Sequence, residues 1–144
     1  MRELREYCDT LRALGRFLET AGALEIAVSE EANHLSVSWR TKGGDRLRRQ
    51  YGAFELQALR TAARLFRGLE GGDPRFTREE MLRTLGRQLD DMGAEGIGLV
   101  ETPDGFWVSA RVRGERVECL YTFDELTARS HEYHRARLPA VTAP

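Results

Sequence analysis

The sequence has few of the features that usually reveal a biochemical activity. Only two of its 144 residues are cysteines, Cys8 and Cys119, too few for a disulfide framework, so a reducing cytoplasm is the expected location. No apolar run approaches the roughly 18 to 20 residues of a membrane span, and no signal-peptide pattern is present. We therefore predict a cytoplasmic protein with no membrane partner.

Signatures of catalysis and of cofactor binding are also missing. The sequence contains no phosphate-cradling glycine loop, no serine elbow motif and no Cys-x-x-Cys pair. His131 and His134 have the spacing of a helical metal chelate, but no third ligand accompanies them. Cys8 and Cys119 fall at inward positions of the predicted elements and are interpreted as small core residues. These observations predict a non-enzymatic protein without a metal or a cofactor.

Charge is balanced over the whole chain but is unevenly distributed. The 22 basic and 23 acidic residues give a net charge of −1, so no overall field attracts nucleic acid or a membrane. Every basic residue except Lys42 is an arginine. Residues 35–67 nevertheless carry a net charge of +6, whereas residues 68–104 carry −5. The basic segment is thus the part of the chain to consider for an anionic partner.

The most informative feature that is present is an internal repeat. Residues 11–18 read LRALGRFL and residues 82–89 read LRTLGRQL. The offset of 71 continues without a gap to Lys42 and Arg113, and 13 of the 32 aligned positions are identical. After a one-residue deletion the offset becomes 70, and matches continue to Ala58 and Ala128. This self-similarity predicts a tandem duplication.

Each copy is predicted to fold as a helix, three strands and a second helix, because apolar residues first follow helical spacing and then alternate. The first helical stripe comprises Leu4, Tyr7, Cys8, Leu11, Leu14 and Leu18. The inner face of the second helix is predicted to hold Phe54, Leu56, Leu59, Ala63 and Phe66. Inward strand positions are Leu24, Ile26, Val28, Leu35, Val37 and Trp39 in copy one, and Ile97, Leu99, Phe106, Val108, Ala110, Val117, Cys119 and Tyr121 in copy two.

The predicted fold class is α+β, with a pseudo-two-fold αβββα-αβββα chain and helices on one face of antiparallel sheets. Copy one is assigned to residues 1–67, a Gly/Pro linker to 68–75, copy two to 76–138 and a flexible tail to 139–144. A single copy of about 65 residues would be marginally stable, so the two are expected to pack as one compact domain. The sheets could join edge to edge or pack through their outer faces. The polar outer face of copy one favours edge-to-edge or helix-mediated packing.

An apolar cluster is predicted on the face of copy two opposite its helices. Val100, Trp107 and Leu120 would lie side by side on adjacent strands, and an exposed tryptophan cluster is typical of a binding surface. The alternatives are that a helix or the C-terminal tail covers the cluster, or that the strand phase is inverted. The favoured interpretation is a surface for a protein partner or for a second copy in a homodimer.

The predicted element order resembles that of type III secretion chaperones, which pair to bind extended protein segments. The resemblance lies in element order and implies an adaptor or chaperone-like module.

The second hypothesis is a nucleic-acid-binding module in which Arg40, Lys42, Arg46 and Arg48 hold phosphates at one hairpin. No interleaved aromatic residues accompany them, and solvated charges also keep exposed strand edges soluble. A third hypothesis places small-molecule binding or catalysis in the cleft between copies.

Overall fold

The structure is a computed structural model that describes residues 7–66 and 78–136, with side chains described for 7–62 and 78–132. The predicted linker at 68–75 and tail at 139–144 lie outside the described residues. So do Leu4 and the side chains of Ala63, Phe66 and His134.

The described chain has an α+β fold with four helices and one six-stranded antiparallel sheet. In chain order the elements are α1 (Tyr7–Thr20), β1 (Leu24–Glu30), β2 (His34–Arg40), β3 (Arg46–Gly52), α2 (Ala53–Phe66), α3 (Arg78–Met92), β4 (Glu95–Thr102), β5 (Gly105–Val112), β6 (Glu115–Thr122) and α4 (Phe123–Ala136). The strand order is β3-β2-β1-β4-β5-β6. We call 7–66 the N-terminal half and 78–136 the C-terminal half.

The first helix of each half ends at a glycine that the local geometry requires. Gly22 and Gly93 both have a φ of 67°, a left-handed conformation that costs little only for glycine. The N–H of Ala23 donates to the carbonyl of Leu18 at 2.9 Å, and the equivalent bond in the C-terminal half measures 3.0 Å. This is the hydrogen-bond pattern of a Schellman cap, which turns the chain into the first strand.

A bulge bends the first strand of each half. Glu25 has a φ of 49° and Gly96 a φ of 57°. The pairing register shifts at these positions, between Leu24 and Ala27 in β1 and between Glu95 and Gly98 in β4. Because bulges increase bend and twist, the sheet curves at two matched places beside its centre.

The two halves meet at the centre of the sheet through direct strand pairing. Val28 of β1 lies opposite Leu99 of β4, flanked by the pairs Ala27–Val100 and Ser29–Gly98. The predicted edge-to-edge joining is therefore the one observed.

Helices α1 and α3 also cross in close contact. A Cβ added at Gly15 would lie 2.7 Å from the Cα of Glu79, and one added at Gly86 would lie 2.7 Å from the Cα of Cys8. Any larger residue at either glycine would push the helix backbones apart. The helix-mediated contact therefore accompanies the strand pairing.

Each half caps the first helix of the other half. The two carboxylate oxygens of Asp90 accept hydrogen bonds from the backbone N–H groups of Tyr7 and Cys8, at 2.9 and 3.0 Å. In the reverse direction, Glu19 accepts a bond from the backbone N–H of Arg78 at 2.6 Å. Negative side chains are favourable at these positive helix ends. Burial raises the pKa of Asp90, and the two backbone hydrogen bonds oppose that effect in part.

The core lies between the helices and the inner face of the sheet, and it corrects three sequence predictions. Cys119 and Val117 were predicted as core residues, but Cys119 is exposed and Val117 is 39% exposed, because most of edge strand β6 lies beyond the helices. Phe54 was assigned to the inner face of α2 but is 84% exposed. Leu56 faces the core instead, and two residues correspond to about 200° of helical rotation. Cys8 is half-buried.

Candidate binding face of the sheet

The outer face of the sheet, opposite the helices, carries two central rows of side chains that run across all six strands. The register places Arg48, Ser38, Ala27, Val100, Trp107 and Leu120 in one row. It places Gln50, Ser36, Ser29, Gly98, Ser109 and Glu118 in the next. Residues opposite one another on paired strands have Cβ atoms about 4.5 to 5.5 Å apart, so neighbours within each row are in contact.

Val100, Trp107 and Leu120 form a continuous apolar row on this face. Val100 is 48% exposed, Trp107 is 43% exposed and Leu120 is half-buried. No helix of the described residues covers them, since the helices pack against the opposite face. Because Leu99 and Phe106 are fully buried on that opposite face, the alternative of an inverted strand phase is wrong.

A recess of about 410 Å³ lies beside the apolar row, over the boundary between β1 and β4. Small residues form its floor: Ala27, Ser29, Ser36, Ser38 and Gly98. Trp107 borders it on one side and Arg48 on the other. The recess was not predicted. The sequence feature that could have indicated the recess is the set of small residues at outward positions of β1, β2 and β4. The bulges that curve its floor leave no trace in the alternation of apolar and polar residues.

Arg48 is held in place at the edge of the recess. Its Nε donates a hydrogen bond to the hydroxyl of Ser36 at 3.0 Å, and Ser36 is only 8% exposed. Within residues 7–62 and 78–132, no carboxylate lies within ion-pair distance of the Arg48 guanidinium. Arg48 therefore presents a positioned positive charge on the outer face.

The other basic residues of the predicted nucleic-acid site already contact other parts of the protein. Arg40 and Arg46 share one oxygen of Glu25, at 3.2 and 3.7 Å. Arg46 also donates to the hydroxyl of Ser38 at 2.9 Å. The Cε of Lys42 lies beside the Gly22 turn, 2.9 Å from where a Cβ on that glycine would lie. Glu25 thus neutralises part of the charge that the hairpin carries.

A second groove, which the sequence analysis missed, lies between β3 and α2. It measures about 350 Å³ and is lined in part by Phe54, Leu59 and Tyr51.

The guanidinium of Arg49 lies 5.6 Å from the ring centre of Phe17 and 5.3 Å from that of Tyr51. These contacts account for an arginine on the helix-facing side of an edge strand by cation–π stacking.

The described residues give little support for metal binding or for thiol chemistry. No cluster of three or more His, Cys, Asp or Glu side chains within residues 7–62 and 78–132 is arranged to hold a metal ion. Burial raises the pKa of the Cys8 thiol, which disfavours the nucleophilic thiolate. Across the part of the chain that the structure describes, no helix has the length and apolar character needed to cross a bilayer.

Comparison with protein-family models, with curated proteins and with solved structures finds no match to this chain.

Proposed function

We propose that this protein is a non-enzymatic binding module that uses the outer face of its sheet to hold a protein partner or a second copy of itself. The observation that carries the proposal is Trp107, which is 43% exposed between Val100 and Leu120 on a face that no described helix covers. Desolvating a tryptophan in the middle of an apolar patch contributes strongly to association.

We further propose that the two halves are diverged copies, with copy one at 1–67, a linker at 68–75, copy two at 76–138 and a tail at 139–144. Matched features support this. The bulges at Glu25 and Gly96 and the helix-crossing glycines Gly15 and Gly86 fall at aligned positions. The apolar row does not repeat, because its three positions align with Ser29, Ser36 and Gln50. We therefore expect one apolar binding site per chain.

The other hypotheses have weaker support. Glu25 compensates Arg40 and Arg46, so a phosphate backbone would have to compete with an existing acid. The recess offers a shallow site for a small molecule, and Glu31 and Arg48 are the charged residues that line it among the described residues. A cytoplasmic location stays a prediction.

Two measurements test the proposal. A displayed library of random peptides can be selected on the protein and then rescreened on Trp107→Ala and on Val117→Ala. In parallel, sedimentation equilibrium can measure self-association of the same three proteins. Val117 is a matched control because it is a similarly exposed apolar residue on β6 that points to the opposite face.

We expect Trp107→Ala to lose peptide binding, self-association or both, while Val117→Ala keeps what the wild type has. The melting temperatures of wild type and Trp107→Ala should be similar, because a half-exposed side chain contributes little to the core. If no interaction depends on Trp107, or if Trp107→Ala unfolds the protein, the proposed function is wrong.

A further inference from the structure

We propose that the occupant of the outer face is a second copy of this chain, packed sheet against sheet in a two-fold dimer. This inference rests on the proposed function and names the partner of the same surface. It follows from the shape, the charge and the area of the two outer-face rows.

The shape of the face is complementary to itself. Consider a two-fold axis that runs parallel to the strands, between two facing sheets, above the β1–β4 boundary. Such an axis exchanges the two sides of the sheet, so that Trp107 of one copy lies over Ser38 of the other. Trp107 would then enter the recess floored by Ala27, Ser36 and Ser38, and the second copy would do the same in return.

The fit follows from the order of side-chain sizes across the sheet. The bulky residues Val100, Trp107 and Leu120 occupy one side of the first row, whereas Ser38 and Ala27 lie on the other side. Sheets that pack face to face lie about 10 Å apart and interdigitate. Large residues opposite large ones would hold the sheets apart, but this axis places Val100 over Ala27 and Trp107 over Ser38 on the central strands. Only at the sheet edges does a long side chain, Arg48, lie over a bulky one, Leu120.

Charge supports the same orientation. Arg48 lies on β3 at one edge of the sheet, and Glu118 lies on β6 at the other edge. The two-fold axis brings β3 of each copy over β6 of the other and places Arg48 over Leu120, one row from Glu118. The hydrogen bond from Arg48 to Ser36 directs the guanidinium towards the row that holds Glu118, so each Arg48 can reach Glu118 of the second copy. Glu118 has one exposed neighbour, Arg116, at 3.8 Å, a weak surface pair that does not compete strongly. The dimer thus gains two equivalent ion pairs.

The area is sufficient for a specific dimer. Six strands about 4.8 Å apart and about seven residues long span a face of roughly 29 by 23 Å, or roughly 650 Å². A standard interface buries roughly 600 to 1,000 Å² on each partner, so nearly the whole face must take part. We therefore expect moderate affinity and a dimer that forms with increasing concentration.

The first experiment needs no variant. Iodide quenching of tryptophan fluorescence reports mainly on Trp107, since Trp39 is only 5% exposed. Sedimentation equilibrium and quenching are measured from about 1 µM to about 500 µM chain, a range that brackets moderate affinities. We expect the monomer-to-dimer transition and the loss of quenching to occur over the same concentrations. A dimer in which Trp107 stays quenchable overturns the inference.

Charge reversal then tests the orientation. Arg48→Glu and Glu118→Arg should each weaken the dimer about tenfold, and the double variant should return to within about threefold of wild type. Arg16→Glu is the control, because it reverses an exposed charge on α1, on the helix side of the molecule and away from the outer face. A double variant no better than the single ones overturns the proposed orientation, as does a dimer that neither reversal affects.

Failure here is distinguishable from failure of the proposed function. If the chain stays monomeric over the whole range but captures library peptides through Trp107, the dimer is wrong and the binding module stands. If it stays monomeric and no peptide depends on Trp107, both are wrong.

Discussion

The two halves of the molecule can be compared position by position, at an offset of 71 up to Lys42 and 70 after the deletion. On the helix-facing side, two central pairs are identical and buried: Ile26 with Ile97 and Val37 with Val108. On the outer face, Ser36 aligns with Trp107. The core constrains the first set, because each buried side chain must fill space shared with several neighbours. Exposed positions on the outer face have no such constraint, so a serine can stand in one half where a tryptophan stands in the other, and an apolar surface is present on one half only.

The largest expected difference separates the two tryptophans, which lie on opposite faces of the sheet. Trp39→Ala should lower the free energy of unfolding by about 3 to 5 kcal/mol, because Trp39 is buried against the core. Trp107→Ala should cost less than about 1 kcal/mol, the size of lost cross-strand contacts. Urea unfolding of dilute protein measures both. Equal losses would contradict the division between the two faces.

The crossing glycines test whether the halves are equivalent at their contact. Gly15→Ala and Gly86→Ala should each cost about 2 to 3 kcal/mol, since each new Cβ would clash with backbone atoms of the facing helix, at Glu79 for Gly15 and at Tyr7 and Cys8 for Gly86. The control is Gly43→Ala, where the nearest atom would be 3.8 Å away and the change should stay within about 0.5 kcal/mol. Thermal melts read out all three. A large loss at one crossing glycine only would show that the contact is not symmetric.

The reciprocal caps predict a difference between Asp90 and Glu19. Asp90→Asn should cost about 1 to 2 kcal/mol at pH 7, because an amide has one acceptor oxygen for two N–H groups. Glu19→Gln should cost less than about 0.5 kcal/mol, because it caps one N–H and is exposed.

The pH dependence sharpens the same comparison. Burial raises the pKa of Asp90 in the folded protein, so the folded state takes up this proton before the unfolded state does. The wild type therefore gains stability from Asp90 as the pH falls from 7 towards about 4, and Asp90→Asn does not. The difference in the free energy of unfolding between wild type and Asp90→Asn should therefore increase as the pH falls over that range, as measured by denaturant titrations. A gap that narrows would contradict the direction of the pKa shift.

The smallest expected effects come from the two bulges. Gly96→Ala should cost about 1 kcal/mol, because alanine is strained at a φ of 57°. Glu25→Gly should change stability by less than about 0.5 kcal/mol, since relief of the left-handed backbone offsets loss of the surface pairs with Arg40 and Arg46. Thermal denaturation of both variants beside the wild type measures these changes in stability. A cost above about 1 kcal/mol for Glu25→Gly would show that the pairs outweigh the strain.

The fold class and the exposed apolar row could be predicted from the sequence because alternation is a strong signal wherever one sheet face is buried. Leu35 and Val37 point to the core, and their spacing alone places Ser36 on the outer face. The exposure of Val117 and Cys119 could not be predicted, since it depends on how far the helices extend over the sheet. The recess could not be predicted either, because its curvature depends on the bulge at Glu25. The left-handed backbone of Glu25 interrupts a strand whose sequence pattern is regular alternation.

The caps exchanged between α1 and α3 have a consequence for how the protein melts. If one half unfolded, the first turn of α1 or α3 in the other half would lose the carboxylate that accepts its backbone N–H hydrogen bonds. Unfolding of one half would therefore destabilise the other. Residues 7–66 and 78–136 should therefore behave as one cooperative unit, with equal calorimetric and van't Hoff enthalpies for the dilute chain.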